Sequence, residues 1–135
     1  MYNSFKIKFD EFTSVLTVYI GDFSELSQFA ANKFNILLEK DASSSSIDGL
    51  FVNIDNDYGI SGQFLLAVRD IQKKSSIRVG VIAHEALHAV RGILKARGIP
   101  FDGDNEELIA YLQEYIIEKT LDFYEKIKKN EEKLN

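Results

Sequence analysis

Phe5, Ile7 and Phe9 alternate with Lys6, Lys8 and Asp10 near the start of the chain, and a period of two is that of a strand with one buried face. A turn over residues 11–14 leads into a second β-rich run, residues 15–20, so the two predict a hairpin closed off by Gly21. From Ser24 the period changes. Leu26, Phe29, Ala30, Phe34, Leu37 and Leu38 recur at steps of three and four, which predicts an amphipathic helix to about Lys40 with Asp22 or Ser24 as its cap. Residues 41–49, DASSSSIDG, read as a loop by composition.

Residues 50–54 read as a buried strand, NDYG as a turn and residues 60–70 as a longer apolar strand. Helical periodicity returns over residues 77–97 and stops at Gly98, which supplies a left-handed cap, with Pro100 two residues beyond. A short loop, IPFDGD, leads into a last helix over residues 104–129, and the Lys- and Glu-rich end, EKIKKNEEKLN, reads as a fraying, solvated tail. This order of elements predicts an α+β domain with a small mixed sheet of about four strands.

At 135 residues the chain is long enough for one domain and short for two, so residues 1–135 are expected to form a single unit. A hydrophobic fraction of 45% and a charged fraction of 27% are those of a folded domain and exclude a disordered or fibrous chain. Sixteen Lys and Arg against 21 Asp and Glu give a net charge of -5, which leaves no basic surplus for a phosphate backbone and makes nucleic acid an unexpected partner. The absence of Cys removes disulfides, thiolate ligands and thiol nucleophiles together and fits a reducing compartment. No apolar run approaches the length that spans a bilayer, and the N-terminus lacks the apolar stretch of a signal peptide. A cytoplasmic protein without a membrane partner is therefore expected.

Chemistry concentrates in VGVIAHEALHAVRG. Both histidines of the chain, His84 and His88, stand four residues apart with Glu85 between them, the H-E-x-x-H arrangement. Four residues of helix turn about 40° beyond one revolution and rise about 6 Å, so both imidazoles project from one face and can converge on one ion. Glu85 is offset around the helix, where it serves better as a general base on a metal-activated water than as a ligand. Val81, Ile82, Ala86, Leu87, Ala89 and Val90 are uncharged and predict a helix that runs through the interior. The alternative is a pair of histidines satisfied by core hydrogen bonds, with Glu85 paired to Arg91 or Lys95. Catalytic zinc usually has three protein ligands, and with no Cys and no third His the third must be a carboxylate from downstream.

Over residues 77–117, on HEALH, Gly98 at the helix end and DNEELIAYL, the chain resembles the gluzincin group of thermolysin-like zinc metallopeptidases, and in particular short peptidase-like proteins of phages and mobile elements. The resemblance implies a zincin-like fold, a Zn²⁺ cofactor and a Glu on the following helix as third ligand. Of the two adjacent acids, Glu107 is preferred to Glu106, because Glu107 precedes small Ala110 by three and lets the helices approach closely. A D-x-x-E capping box from Asp104 to Glu107 is the competing role. The family pattern often places an Asp four residues after the ligand Glu to hold an imidazole; here that position is Tyr111, which could orient a histidine or donate to the oxyanion. Glu114 reads as an ordinary helix residue. The family also holds extended peptide on an edge strand before the metal helix, which would put residues 60–70 in that place. Arg69, Arg78 and Arg91 read as solvated charges, with electrophilic help as the lesser alternative.

The sequence thus implies hydrolysis of a peptide bond in a peptide or protein substrate. His84, His88 and Glu107 hold the metal, Glu85 takes the proton of the water, and Tyr111 assists. The competing class is a catalytically silent zincin-like protein that acts by docking. Oligomeric state is left open by the sequence.

Overall fold

β1 (Tyr2–Phe9) and β2 (Ser14–Gly21) pair antiparallel over their full length, from Tyr2 opposite Gly21 to Phe9 opposite Ser14. A short 3-10 turn, Asp10–Phe12, and Thr13 at a φ of 48° make the connection. The computed structural model describes residues 1–39, 47–69 and 75–134 of the chain. β3 (Gly49–Val52) and β4 (Gln63–Arg69) complete a four-stranded mixed sheet in the order β1-β2-β4-β3, with β4 parallel to β2 and antiparallel to β3. The α+β architecture expected from the pattern is the one observed.

Helices cover both faces of the sheet. α1 (Leu26–Phe34) lies on one face, where Phe23, Leu26, Phe29 and Ala30 pack with Tyr19, Leu65 and Ala67. On the other face, Leu16, Val18 and Ile20 of β2 and Phe64, Leu66 and Val68 of β4 meet α3 (Ser75–Ala96) and α4 (Glu106–Leu134). Residues 64–68, FLLAV, are buried on both sides, which explains why β4 is continuously apolar rather than alternating. α4 contributes Leu112, Ile116, Thr120, Tyr124 and Ile127, a stripe at helical spacing, and leaves its other side to solvent.

Several boundaries differ from the sequence reading, each for a local reason. α1 ends at Phe34 instead of continuing to Lys40, because Asn35 adopts the left-handed conformation and its N–H closes on the Ala31 carbonyl; Leu37 is left outside the helix and exposed. Asp22 caps the 3-10 turn Phe23–Glu25 that precedes α1, accepting from the Ser24 N–H, and α1 itself starts after Glu25 without a side-chain cap. Ile54 belongs to a short helix, α2 (Ile54–Tyr58), capped by Asn53, rather than to the strand before it. β4 is a central strand, so the sheet edge next to the third helix is β3 and not residues 60–70. The last helix continues through Leu134, beyond the point where the Lys- and Glu-rich end was expected to fray. The Gly98 stop holds: Gly98 sits at a φ of 71° and the Ile99 N–H returns to the Leu94 carbonyl. Residues 40–46, most of the expected loop, and Asp70 lie outside the described residues. Among the described residues no helix is long and apolar enough to cross a membrane.

Candidate metal centre

α3 carries H-E-x-x-H in its middle, and the helix is two-faced there rather than uniformly internal. Ile82, Glu85, Ala86, Ala89, Val90 and Ile93 face the sheet and α4, whereas His84, Leu87 and His88 are exposed. Two imidazoles one turn apart therefore stand side by side on an open surface. Their rings lie 5.0 Å apart, centroid to centroid, at 71° to one another, and the two Nε2 atoms are 3.3 Å apart. Two nitrogens bound to one tetrahedral zinc at its usual bond length are about 3.3 to 3.4 Å apart. The pair thus already has the spacing of two zinc ligands. Among the described residues neither imidazole has a hydrogen-bond partner other than its neighbour.

Glu85 is the buried member of the motif. Its Oε1 lies 3.8 Å from His84 Nε2, while the rest of the side chain is packed between α3 and the sheet edge. Gly49, the first residue of β3, forms the opposing wall: a Cβ at that position would stand 2.7 Å from Val81 Cγ1 and 2.9 Å from Glu85 Cγ. A glycine is what allows the edge strand to lie directly against the carboxylate-bearing side chain. Burial pushes the Glu85 carboxyl above the usual range, and the two nearby imidazoles oppose that shift. A recess of about 330 Å³ opens beside the pair, lined by Gly49, Ile77, Gly80, Val81, His84 and Glu85. Among the described residues Glu85 pairs with neither Arg91 nor Lys95, and the histidines are not core residues.

Downstream residues are placed as follows. Gln113 of α4 donates to the Ala83 carbonyl at 3.0 Å, fixing α4 against α3 one residue before His84. Glu106 and Glu107 are exposed in the first turn of α4, Tyr111 is 66% exposed in the second, and Glu114 is exposed a turn further on. The capping role is taken one step earlier, by Asp102, whose carboxylate accepts from the Asp104 N–H, so Glu107 is not the closing member of an Asp104 box. Among the described residues, His84 and His88 are brought together with Glu85, but no third His, Asp or Glu joins them as a ligand set, and Glu107 stands apart. The three arginines rest on aromatic rings, Arg69 on Phe23, Arg78 on Tyr124 and Arg91 on Phe101. Gly49 and Gln113 are site residues that sequence reasoning passed over. Gly49 closed a polar loop and Gln113 carried no motif, so neither gave a signal.

Comparison with family models, curated proteins and solved structures gives no match to this chain. The functional reading therefore rests on the geometry of the site.

Proposed function

We propose that this protein is a zinc-dependent metallopeptidase in which His84 and His88 hold the metal, Glu107 of α4 moves in to join them when the ion binds, and Glu85 is the general base. The observation that carries the reading is the 3.3 Å separation of the two Nε2 atoms on an exposed helix face, with the Glu85 carboxylate beside them. A neutral imidazole ligates through Nε2 or Nδ1, and the Nε2 of each ring stands next to that of its neighbour here. Glu107, which stands apart from the pair, is assigned as third ligand on the resemblance of DNEELIAYL to the gluzincin pattern, at the start of the helix that Gln113 ties to α3. A bound zinc ion supplies Lewis acidity toward a water and a carbonyl oxygen.

The chain's own groups supply the proton traffic. Glu85 receives a proton from the attacking water on its carboxylate and delivers it to the departing amine. Burial raises the proton affinity of that carboxylate, which suits a base that must first take and then release a proton. Gly49 lies against the Glu85 stem on one side, and Glu85 Oε1 stands 3.8 Å from His84 Nε2. Tyr111 keeps the role of a hydroxyl donor to the substrate oxygen within this proposal.

Glu85→Gln should bind zinc as the parent does while hydrolysis of a peptide pool falls by roughly 10² to 10⁴-fold. Cleavage by that variant at the parental rate would refute the assignment. Glu107→Gln should weaken zinc binding and Glu106→Gln should not. A second reading is favoured by one observation, that the described residues bring together two imidazoles and no third ligand: a zincin-shaped protein that acts by docking. Fully folded protein without zinc affinity would decide for it.

A further inference from the structure

β1 is an edge of the sheet. It pairs with β2 alone, and among the described residues no strand lies on its outer side. The N-terminal half of this edge carries few blocking features, but its second half presents Lys6 and Lys8. α4 runs alongside it, with Phe123 packed on Phe5 at 4.2 Å between ring centroids and Tyr115 edge-on to Phe9 at 5.9 Å. Between strand and helix lies a groove of about 450 Å³.

Charge in this groove is one-sided. Lys6 and Lys8 from β1 and Lys119 and Lys126 from α4 line it, against a single acid, Asp122. All four lysines are exposed, and among the described residues none of them makes an ion pair. Lys119 is held over the Tyr115 ring at 5.5 Å instead. On the opposite face of β1 the Lys33 side chain of α1 abuts that of Lys6, and burial together with this neighbour lowers its proton affinity. In a chain of net charge -5, four lysines against one aspartate on two elements make a local excess of positive charge.

We propose that the outer edge of β1, with the flank of α4 beside it, binds an extended acidic segment of a partner protein by strand addition. Main-chain groups of β1 pair with the segment, and Asp or Glu at neighbouring positions point in turn to Lys119 and Lys126 on one face and to Lys6 and Lys8 on the other. A second copy of this chain is the wrong occupant, because edge-to-edge pairing would set two rows of lysine together. Nucleic acid is disfavoured by the overall negative charge and by an edge whose unused groups are those of a peptide backbone. The proposal does not involve the imidazole pair, which lies on α3.

The test is fluorescence polarisation of the full chain with a dye-labelled peptide of Glu-Glu-Val-Val repeats, which as a strand carries Glu on both faces. Saturable binding that weakens with salt is expected. Methylating alternate amides of the peptide should weaken binding roughly tenfold or more, and the double variant Lys6→Glu, Lys119→Glu should do the same. These positions are exposed, and an unchanged thermal midpoint checks that the variant is folded. Amide exchange of residues 2–9 should slow when the peptide is added. Absence of saturable binding, equal affinity for the methylated peptide, tighter binding of a single-stranded oligonucleotide of equal charge, or protection on α3 in place of β1 would each overturn the proposal.

Discussion

Gly49→Ala places one methyl group where the structure has no room for it. The added carbon would lie 2.7 Å from Val81 Cγ1, 2.9 Å from Glu85 Cγ and 3.5 Å from Glu85 Cδ. Carbon atoms prefer separations of about 3.5 to 4.0 Å, so either the edge strand or the two helix side chains must give by roughly 1 Å. Val81 is half-buried and Glu85 is buried, and neither can swing away without opening the contact between β3 and α3. Overpacking of this kind costs about 1 to 3 kcal/mol. Urea unfolding at constant slope measures it, and the cause is separated by repeating the substitution in Val81→Ala and in Glu85→Ala backgrounds. Each background removes one of the two clashing partners, so the penalty should shrink in both, with a coupling of about 0.5 kcal/mol or more. An unchanged penalty in both backgrounds would refute the claim that Glu85 is seated against Gly49. In an assay of peptide hydrolysis, Gly49→Ala should depress turnover with the zinc content unaltered, because it displaces the base and not the ligands.

Two further outcomes follow from the geometry. The Glu85 carboxyl has a raised proton affinity in the folded chain, so its contribution to stability is fully present below the unfolded carboxyl range and is lost as pH rises through its folded value. In metal-free protein, Glu85→Gln should therefore match the parent at acid pH and exceed its urea midpoint at neutral pH; a variant less stable than the parent at neutral pH would contradict this. Asn35 ends α1 at a φ of 56°, so Asn35→Val should cost about 1 to 2 kcal/mol in thermal or urea unfolding, while Asn35→Gly leaves stability nearly unchanged.

Much of the fold was legible because the periods are clean. Alternation over Phe5, Ile7 and Phe9 gave β1, and Gly98 gave the end of α3. The failures have local causes. Nothing in the apolar spacing of Leu37 and Leu38 discloses that Asn35 turns left-handed, and the side chain of Asn53 converts Ile54 from strand to helix. Strand order is a long-range property, so a continuous apolar run such as FLLAV fits a central strand without naming its neighbours; placing residues 60–70 at the edge was the consequence. At the site, the i, i+4 spacing correctly put His84 and His88 on one face. The uncharged flanks suggested an interior helix, yet small residues such as Ala86 and Ala89 pack inward while the histidines remain open. The partner that seats Glu85 is a glycine with no side chain, 36 residues upstream, and no pattern in the sequence announces it.

Zinc content of the parent, of His84→Ala, of His88→Ala and of the double variant, each purified without added metal and measured by elemental analysis beside a folded-state check, bears most directly on the imidazole pair as a metal centre. One zinc per parental chain, lost from the folded variants, is the result this account predicts. Folded parental protein that neither carries nor takes up zinc, or zinc retained after both imidazoles are removed together, would contradict it.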